Sequence, residues 1–226
     1  MAAKQVGRLV GWSIGCIASP LIVGSLFGRP WGSVGVVCAL IATVWLLMWL
    51  PRSAHHAFES ARYARAIRRY HLIGSLAFTA RRSRAAQLSR AACHLAAGGH
   101  AAAAALLATI NDTELDPSER VVWLNNRACA ALDAATEDPH AALALVEQAT
   151  ALRPDVPAVQ HTRARALIAV GRLDDAIGVL EAMRGAGELP LRLEADRCRE
   201  LAAAWERKGQ NDYAADYRDR ARLHAS

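Results

Sequence analysis

Lysine is almost missing from these 226 residues: Lys4 and Lys208 stand against 25 arginines. Acid is missing from a whole region, since none of the 21 Asp and Glu residues falls within the first 50 positions. These shortages locate the net charge of +6. Residues 1–50 carry only Lys4, Arg8 and Arg29, net +3, and 51–85 carry eight arginines against Glu59, net +7. Residues 86–226 carry 16 cations and 20 acids, net −4. The high pI therefore belongs to one short segment and not to a basic groove across a folded domain, which removes the main argument for a nucleic-acid partner.

Catalytic and metal-binding patterns are also lacking. The five cysteines (Cys16, Cys38, Cys93, Cys129, Cys198) show no C-x-x-C or other ligand spacing and read as unpaired small hydrophobes in a reducing compartment. The chain has no P-loop, G-x-G-x-x-G, H-E-x-x-H, G-x-S-x-G or EF-hand loop. His55-His56 is a pair with only Glu59 nearby, read as solvated and not as a metal site. Glu137-Asp138 and Asp174-Asp175 read as helix-start acids that complement the macrodipole. The reading is a non-enzyme with no cofactor and no metal. The preference for Arg over Lys and the abundance of Ala suggest a bacterial, GC-rich source.

Two runs are free of charge, 9–28 and 31–50, and each is 20 residues long. At 1.5 Å per residue either spans the ~30 Å hydrocarbon core of a bilayer. Only Arg29 and Pro30 lie between them, so a tight transmembrane helical hairpin is expected over 1–51. Lys4 and Arg8 precede it, and Arg52, Arg62, Arg65, Arg68 and Arg69 follow. The positive-inside rule then puts both termini in the cytoplasm, in a multi-pass inner-membrane topology. Those five arginines are also candidates for anionic headgroups, at about 1 kcal/mol each near the surface; plain topology accounts for them equally well. Trp12, Trp31, Trp45 and Trp49 lie near the span ends, and Pro20 is expected to kink the first span. Gly7, Gly11 and Gly15 form a small-residue stripe for close packing within the hairpin or, as the alternative, for self-association.

Beyond the hairpin the sequence repeats. A small residue is followed five positions later by an Ala that opens an apolar run: Ala61 with Ala66, Gly99 with Ala104, Gly171 with Ala176, Gly209 with Ala214. A fifth site near Ala135 is widened and resumes at Ala142. The anchors 61, 99, 135, 171 and 209 lie 36 to 38 residues apart, close to one helix–turn–helix unit. Asp116, Asp138 and Asp155 are expected caps, with Pro117, Pro139 and Pro157 in first turns. The spacing predicts helices over 53–60, 63–80, 84–97, 101–110, 118–134, 139–152, 156–170, 173–185, 191–208 and 211–224.

Trp123-Leu124-Asn125-Asn126-Arg127-Ala128, then Gly171-Arg172-Leu173 with Ala176, and Trp205, Gly209 and Tyr213-Ala214 carry a resemblance to the tetratricopeptide repeat (TPR) superfamily over about 53–224. The resulting fold class is all-α, a two-helix transmembrane hairpin followed by a TPR-like α-solenoid of about five helical hairpins. The divisions are 1–51 (hairpin), 52–85 (basic juxtamembrane helical hairpin) and 86–226 (TPR-like repeats). The resemblance implies a concave face of first helices that binds a protein or peptide. In this register that face includes Ser89, Asn125, Cys129, His161, Arg165 and Arg199, with Asn126 at a plausible carboxylate-clamp position; the lysines such clamps use are missing. Arg127 and Arg163 are expected to be structural, their heads paired with acids of a neighbouring unit. The function expected is a membrane-anchored scaffold. The alternative is an accessory or regulatory subunit of a membrane enzyme or transporter, recognised through the hairpin. The order of membrane pair, basic stretch and TPR units is also similar to that of membrane proteins associated with late haem biosynthesis in bacteria.

Overall fold

A computed structural model of the chain describes residues 29–133, 138–185 and 189–225. The expected first span (9–28), the stripe of Gly7, Gly11 and Gly15, Trp12, Pro20 and the widened insertion at 134–137 lie outside the described residues. Among the described residues there are helices and turns but no strand. The helices are α1 (Arg29–Val44), α2 (Leu50–Glu59), α3 (Tyr63–Ser75), α4 (Ala80–Ala96), α5 (His100–Ala108), α6 (Pro117–Asp133), α7 (Pro139–Leu152), α8 (Pro157–Ala169), α9 (Leu173–Gly185), α10 (Leu191–Arg207) and α11 (Asn211–Ala225). By contacts the chain forms two compact units, 1–98 and 99–226.

In the first unit the apolar segment does not stop at residue 50, the end of the span expected from sequence. One helical run continues from α1 into α2 through a π-helical turn, Trp45–Trp49. Pro51 explains the turn. Inside a regular helix its ring would meet the carbonyl four residues back, and its missing N–H would leave an acceptor unused. The widened turn accommodates it. The Leu50 N–H donates to the Trp45 carbonyl, five residues back. In that register the Leu46 carbonyl would look to residue 51, a proline without a donor. Arg82 of α4 supplies the bond instead, with Nη2 3.1 Å from the Leu46 carbonyl. Arg69 of α3 likewise donates to the Ser53 carbonyl at 2.6 Å. Leu46, Leu50 and Ala54 share a core with Ile73 and Ala86, so α3 and α4 are packed onto the end of the apolar helix.

Away from that core the same helix is bare. Val34, Leu40, Ile41, Val44 and Met48 are each at least half exposed. The run Val34–Glu59 is long and apolar enough to cross a membrane, the one such helix among the described residues.

The repeat is visible in the turns. Gly98 (φ 78°), Gly171 (φ 82°) and Gly209 (φ 75°) are left-handed, and so is Ala61 (φ 54°). Glycine enters that region without a Cβ penalty and Ala does not. The second anchor is thus Gly98, one residue earlier than the sequence suggested. Its partner five positions on is Ala103, fully buried, whereas Ala104 is exposed. The poly-Ala run 101–105 hides this register, because every frame finds an alanine. With that shift, Ala66, Ala103, Ala176 and Ala214 are all 0% exposed. Seven positions before each turn lies a second small residue, Ala54, Ala91, Ala164 or Ala202, also buried. Small residues at such points let neighbouring helices approach closely.

In the second unit each helix from α5 to α11 packs on the next. Leu167, Leu180 and Leu201, all fully buried, centre the core with Ala164, Ala176 and Ala204. Burying each leucine is worth roughly 1.5–3 kcal/mol. Helix starts are fixed by side chains. Asp116 Oδ1 accepts the Glu119 N–H at 2.9 Å and Glu119 Oε2 accepts the Asp116 N–H at 3.2 Å, a reciprocal capping box. Asp138 Oδ1 accepts the His140 N–H at 2.9 Å. Asp155 does not cap as expected. Val156 occupies that position, and Asp155 is held by two 2.7 Å bonds from Arg153, whose guanidinium brings its carboxyl down to about 2. The Arg163 head pairs with Glu147 of α7 at 3.2 Å, in agreement with expectation. Arg127 instead lies 4.7 Å over the Trp123 ring of its own helix. The indole N–H of Trp123 donates to the Leu107 carbonyl at 3.2 Å, which sets the ring at that surface.

Candidate functional site

In the second unit the first helices α6, α8 and α10 lie side by side. A four-residue spacing keeps side chains on one face of a helix. Asn125, Cys129 and Asp133 follow that spacing on α6, His161 and Arg165 on α8, and Asp196 and Glu200 on α10. The three rows meet. Cys129 Sγ lies 3.3 Å from Thr162 Oγ1. Arg165 donates from Nη2 to Asp133 Oδ1 at 2.6 Å, and its Nε lies 3.4 Å from Glu200 Oε1. His100 Nδ1, at the start of α5, is 3.5 Å from the other Asp133 oxygen. Arg199 pairs with Asp196 at 2.6 Å.

Burial works against the Arg165 charge, but Asp133, Cys129 and Glu200 together outweigh it and the guanidinium is held above its ordinary value. Burial raises the Glu200 carboxyl, with Arg165 opposing. Burial likewise pushes the Cys129 thiol up, with Thr162 and Arg165 opposing, which favours the protonated form. His161 is brought down to about 4, chiefly by burial and further by Arg165 and Arg199, with Asp196 opposing; it is neutral at pH 7. Its Nε2 and the Asn125 Oδ1 are both buried without a hydrogen-bond partner. Leaving such atoms unpaired costs about 1–3 kcal/mol each. The face therefore carries a neutral imidazole and an amide whose unpaired atoms are closed off from solvent. Its strongest cation is already committed to two carboxylates.

The structure thus brings Asn125, Cys129, His161, Arg165 and Arg199 onto one set of neighbouring helices. Asn126 is buried, 5% exposed. Ser89 belongs to the first unit, where its hydroxyl donates to the Ala85 carbonyl at 2.9 Å. Sequence reasoning missed Asp133, Asp196, Glu200 and Thr162. Extending the four-residue stripes from Cys129 and Arg199 by one turn or one neighbour would have reached most of them. A separate cleft of about 620 Å³ lies between α8 and α9, lined by Gln160, Arg163, Arg172, Asp175, Gly178 and Met183 among others. Its charged rim is internally paired: Arg172 meets Asp175 at 2.7 Å and Arg163 meets Glu147.

The headgroup candidates separate into two kinds. Arg62, Arg65 and Arg68 are exposed. Arg69 is occupied by the Ser53 carbonyl and lies 5.7 Å over the Trp49 ring, and Arg52 reaches the Met48 carbonyl at 3.4 Å. His55 and Glu59 pair at 3.0 Å, both exposed. Among the described residues no group of His, Cys, Asp and Glu is arranged to hold a metal ion.

Residues 134–188 match the family model for the tetratricopeptide repeat. Solved structures with a similar fold include MamA AMB-1, 18% identical, covering 79% of this chain and 98% of that one at a TM-score of 0.48. MamA MSR-1 is another, 15% identical, covering 80% and 97% at a TM-score of 0.44. At these identities the likeness concerns the helical fold alone. No curated protein matches the chain.

Proposed function

We propose, from a chain whose residues 134–188 are of tetratricopeptide-repeat type, that it is a scaffold for protein–protein interaction tethered to a membrane by its apolar N-terminal segment. The observation that carries the reading is the face of α6, α8 and α10, where the partly exposed Asn125, Cys129, His161 and Arg165 line up beside exposed Arg199. A protein segment laid along this face meets the outer edges of the Asn125 amide and the His161 imidazole and the exposed Arg199 guanidinium. Cys129 and Thr162 form the floor between them, and Arg165 and Arg199 with their carboxylates flank it. The chain acts by holding a partner and not by turning over a substrate.

The tether is the exposed apolar stretch 34–45, with the expected first span completing a hairpin and both termini cytoplasmic. Arg62, Arg65 and Arg68 then face anionic headgroups. Capture from native membranes in detergent tests the scaffold reading: a partner recovered by the wild type is lost with Arg165→Ala and Arg199→Ala while melting stays cooperative. Recovery unaffected by either substitution contradicts it. The second reading, an accessory subunit recognised through its membrane segment, is favoured by the half-exposed Leu40, Ile41 and Val44. Replacing residues 1–50 by an unrelated hairpin separates the two: partner capture survives if the repeat face binds and disappears if the membrane face does.

A further inference from the structure

In the first unit α3 and α4 approach closely at Gly74, where a Cβ would lie 3.4 Å from that of Ala86. Beside this contact the two helices enclose a pocket of about 210 Å³, lined by Tyr70, His71, Ser75, Ser83, Gln87 and Arg90. Pockets for drug-sized organic ligands begin at about 300 Å³, so this one suits a smaller group. Every polar lining side chain can donate a hydrogen bond, and none is a carboxylate. The Arg90 Nε is buried with no partner. A buried, unpaired donor on a cation is among the costlier defects a fold can carry. No carboxylate lines the pocket, and Glu59, the one acid among residues 1–98, pairs with His55 and reaches Tyr70 only through its field.

We infer that this pocket is a binding site for a phosphate group, with Arg90 as its cation and Ser75, Ser83 and Gln87 as its neutral donors. Arginine meets tetrahedral phosphate oxygens with two or more charge-assisted bonds, and hydroxyl and amide groups complete the shell. The size admits a phosphate. Its place in the fold bears on the source. Ile73 and Ala86, the chain neighbours of Gly74 and Gln87, pack on Leu46 and Leu50 at the end of the exposed apolar run. If that run lies in a bilayer, as proposed above, lipid phosphodiesters come to the level of the pocket. Only the lipid source rests on the membrane reading; the phosphate chemistry does not.

The test uses the full chain in a neutral detergent, titrated with inorganic phosphate, with a short-chain phosphatidylglycerol, and with chloride at matched ionic strength. A saturable rise in melting temperature with either phosphate compound and none with chloride is expected. Arg90→Gln weakens the apparent affinity roughly tenfold or more, Ser83→Ala weakens it less, and Arg184→Gln, an exposed arginine of the second unit, leaves it unchanged. Tighter binding of the lipid identifies a headgroup phosphate, and tighter binding of inorganic phosphate identifies a free one; both support the site. No saturable response, or an equal response in Arg90→Gln and wild type, overturns it. Should Arg90→Gln not fold, Ser83→Ala and Arg90→Lys decide between these outcomes. Flotation on phosphatidylcholine vesicles, which carry no net charge, reports the membrane reading separately: the chain floats with or without a working pocket if that reading holds.

Discussion

Ala61 holds a backbone conformation that the equivalent turns give to glycine. An alanine at φ 54° is strained by its Cβ, while glycine there costs only unfolded-state entropy. Ala61→Gly should therefore stabilise the chain by about 0.5–1 kcal/mol, read by denaturant unfolding. Arg127 is a contrasting case. With its head over Trp123 and its side chain exposed, Arg127→Ala should cost only about 0.5–1 kcal/mol, measured as a small drop in melting temperature. A larger loss would mean an ion pair of the kind the sequence suggested. His161 gives a pH signature. Its folded value of about 4 lies below the ordinary 6.5, so the unfolded chain binds more protons between those limits. The resulting stability is present above pH 6.5 and is lost as pH falls toward 4, on the order of 2 kcal/mol. Unfolding of wild type and His161→Gln at pH 7 and pH 4.5 should show the variant losing less on acidification.

At the level of elements, most helices were legible because turn chemistry and small-residue spacing mark their ends. Gly171 and Gly209 each stop one helix and open the next, and Asp116 and Asp138 announce a cap. The failures have physical causes. The alanine run at 101–105 carries no contrast between faces, so the register slipped by one residue at Gly98. The second span was expected to end at 50 and a new helix to start at 53, on either side of Pro51. The chain instead widens the turn before it and gives the stranded Leu46 carbonyl to Arg82, a residue 36 positions away. Nothing in a linear pattern encodes that donor. The pairing predicts non-additivity. Arg82→Ala should destabilise the wild type by about 1 kcal/mol and Pro51→Ala chains by less, since an alanine at that position returns a local N–H. A double-mutant cycle with no coupling would refute the compensation.

For the molecule as a whole, charge division was the clearest sequence signal. Residues 1–98 hold one acid, and the other 20 lie in 99–226. Half of the candidate face was also legible: Asn125, Cys129, His161, Arg165 and Arg199 recur at repeat spacing. Their pairing was not. Asp133 and Glu200 look like ordinary helix-surface acids until the packing of α6, α8 and α10 places them on either side of Arg165. The account stands or falls on that face being occupied in the cell. A photo-crosslinking residue installed at 161 in the full chain, compared with one at exposed Tyr213, measures this directly. Light should join position 161 to one discrete partner protein in native membranes and leave position 213 unlinked. The same adducts from both positions, or none from 161 in a correctly folded chain, would contradict it.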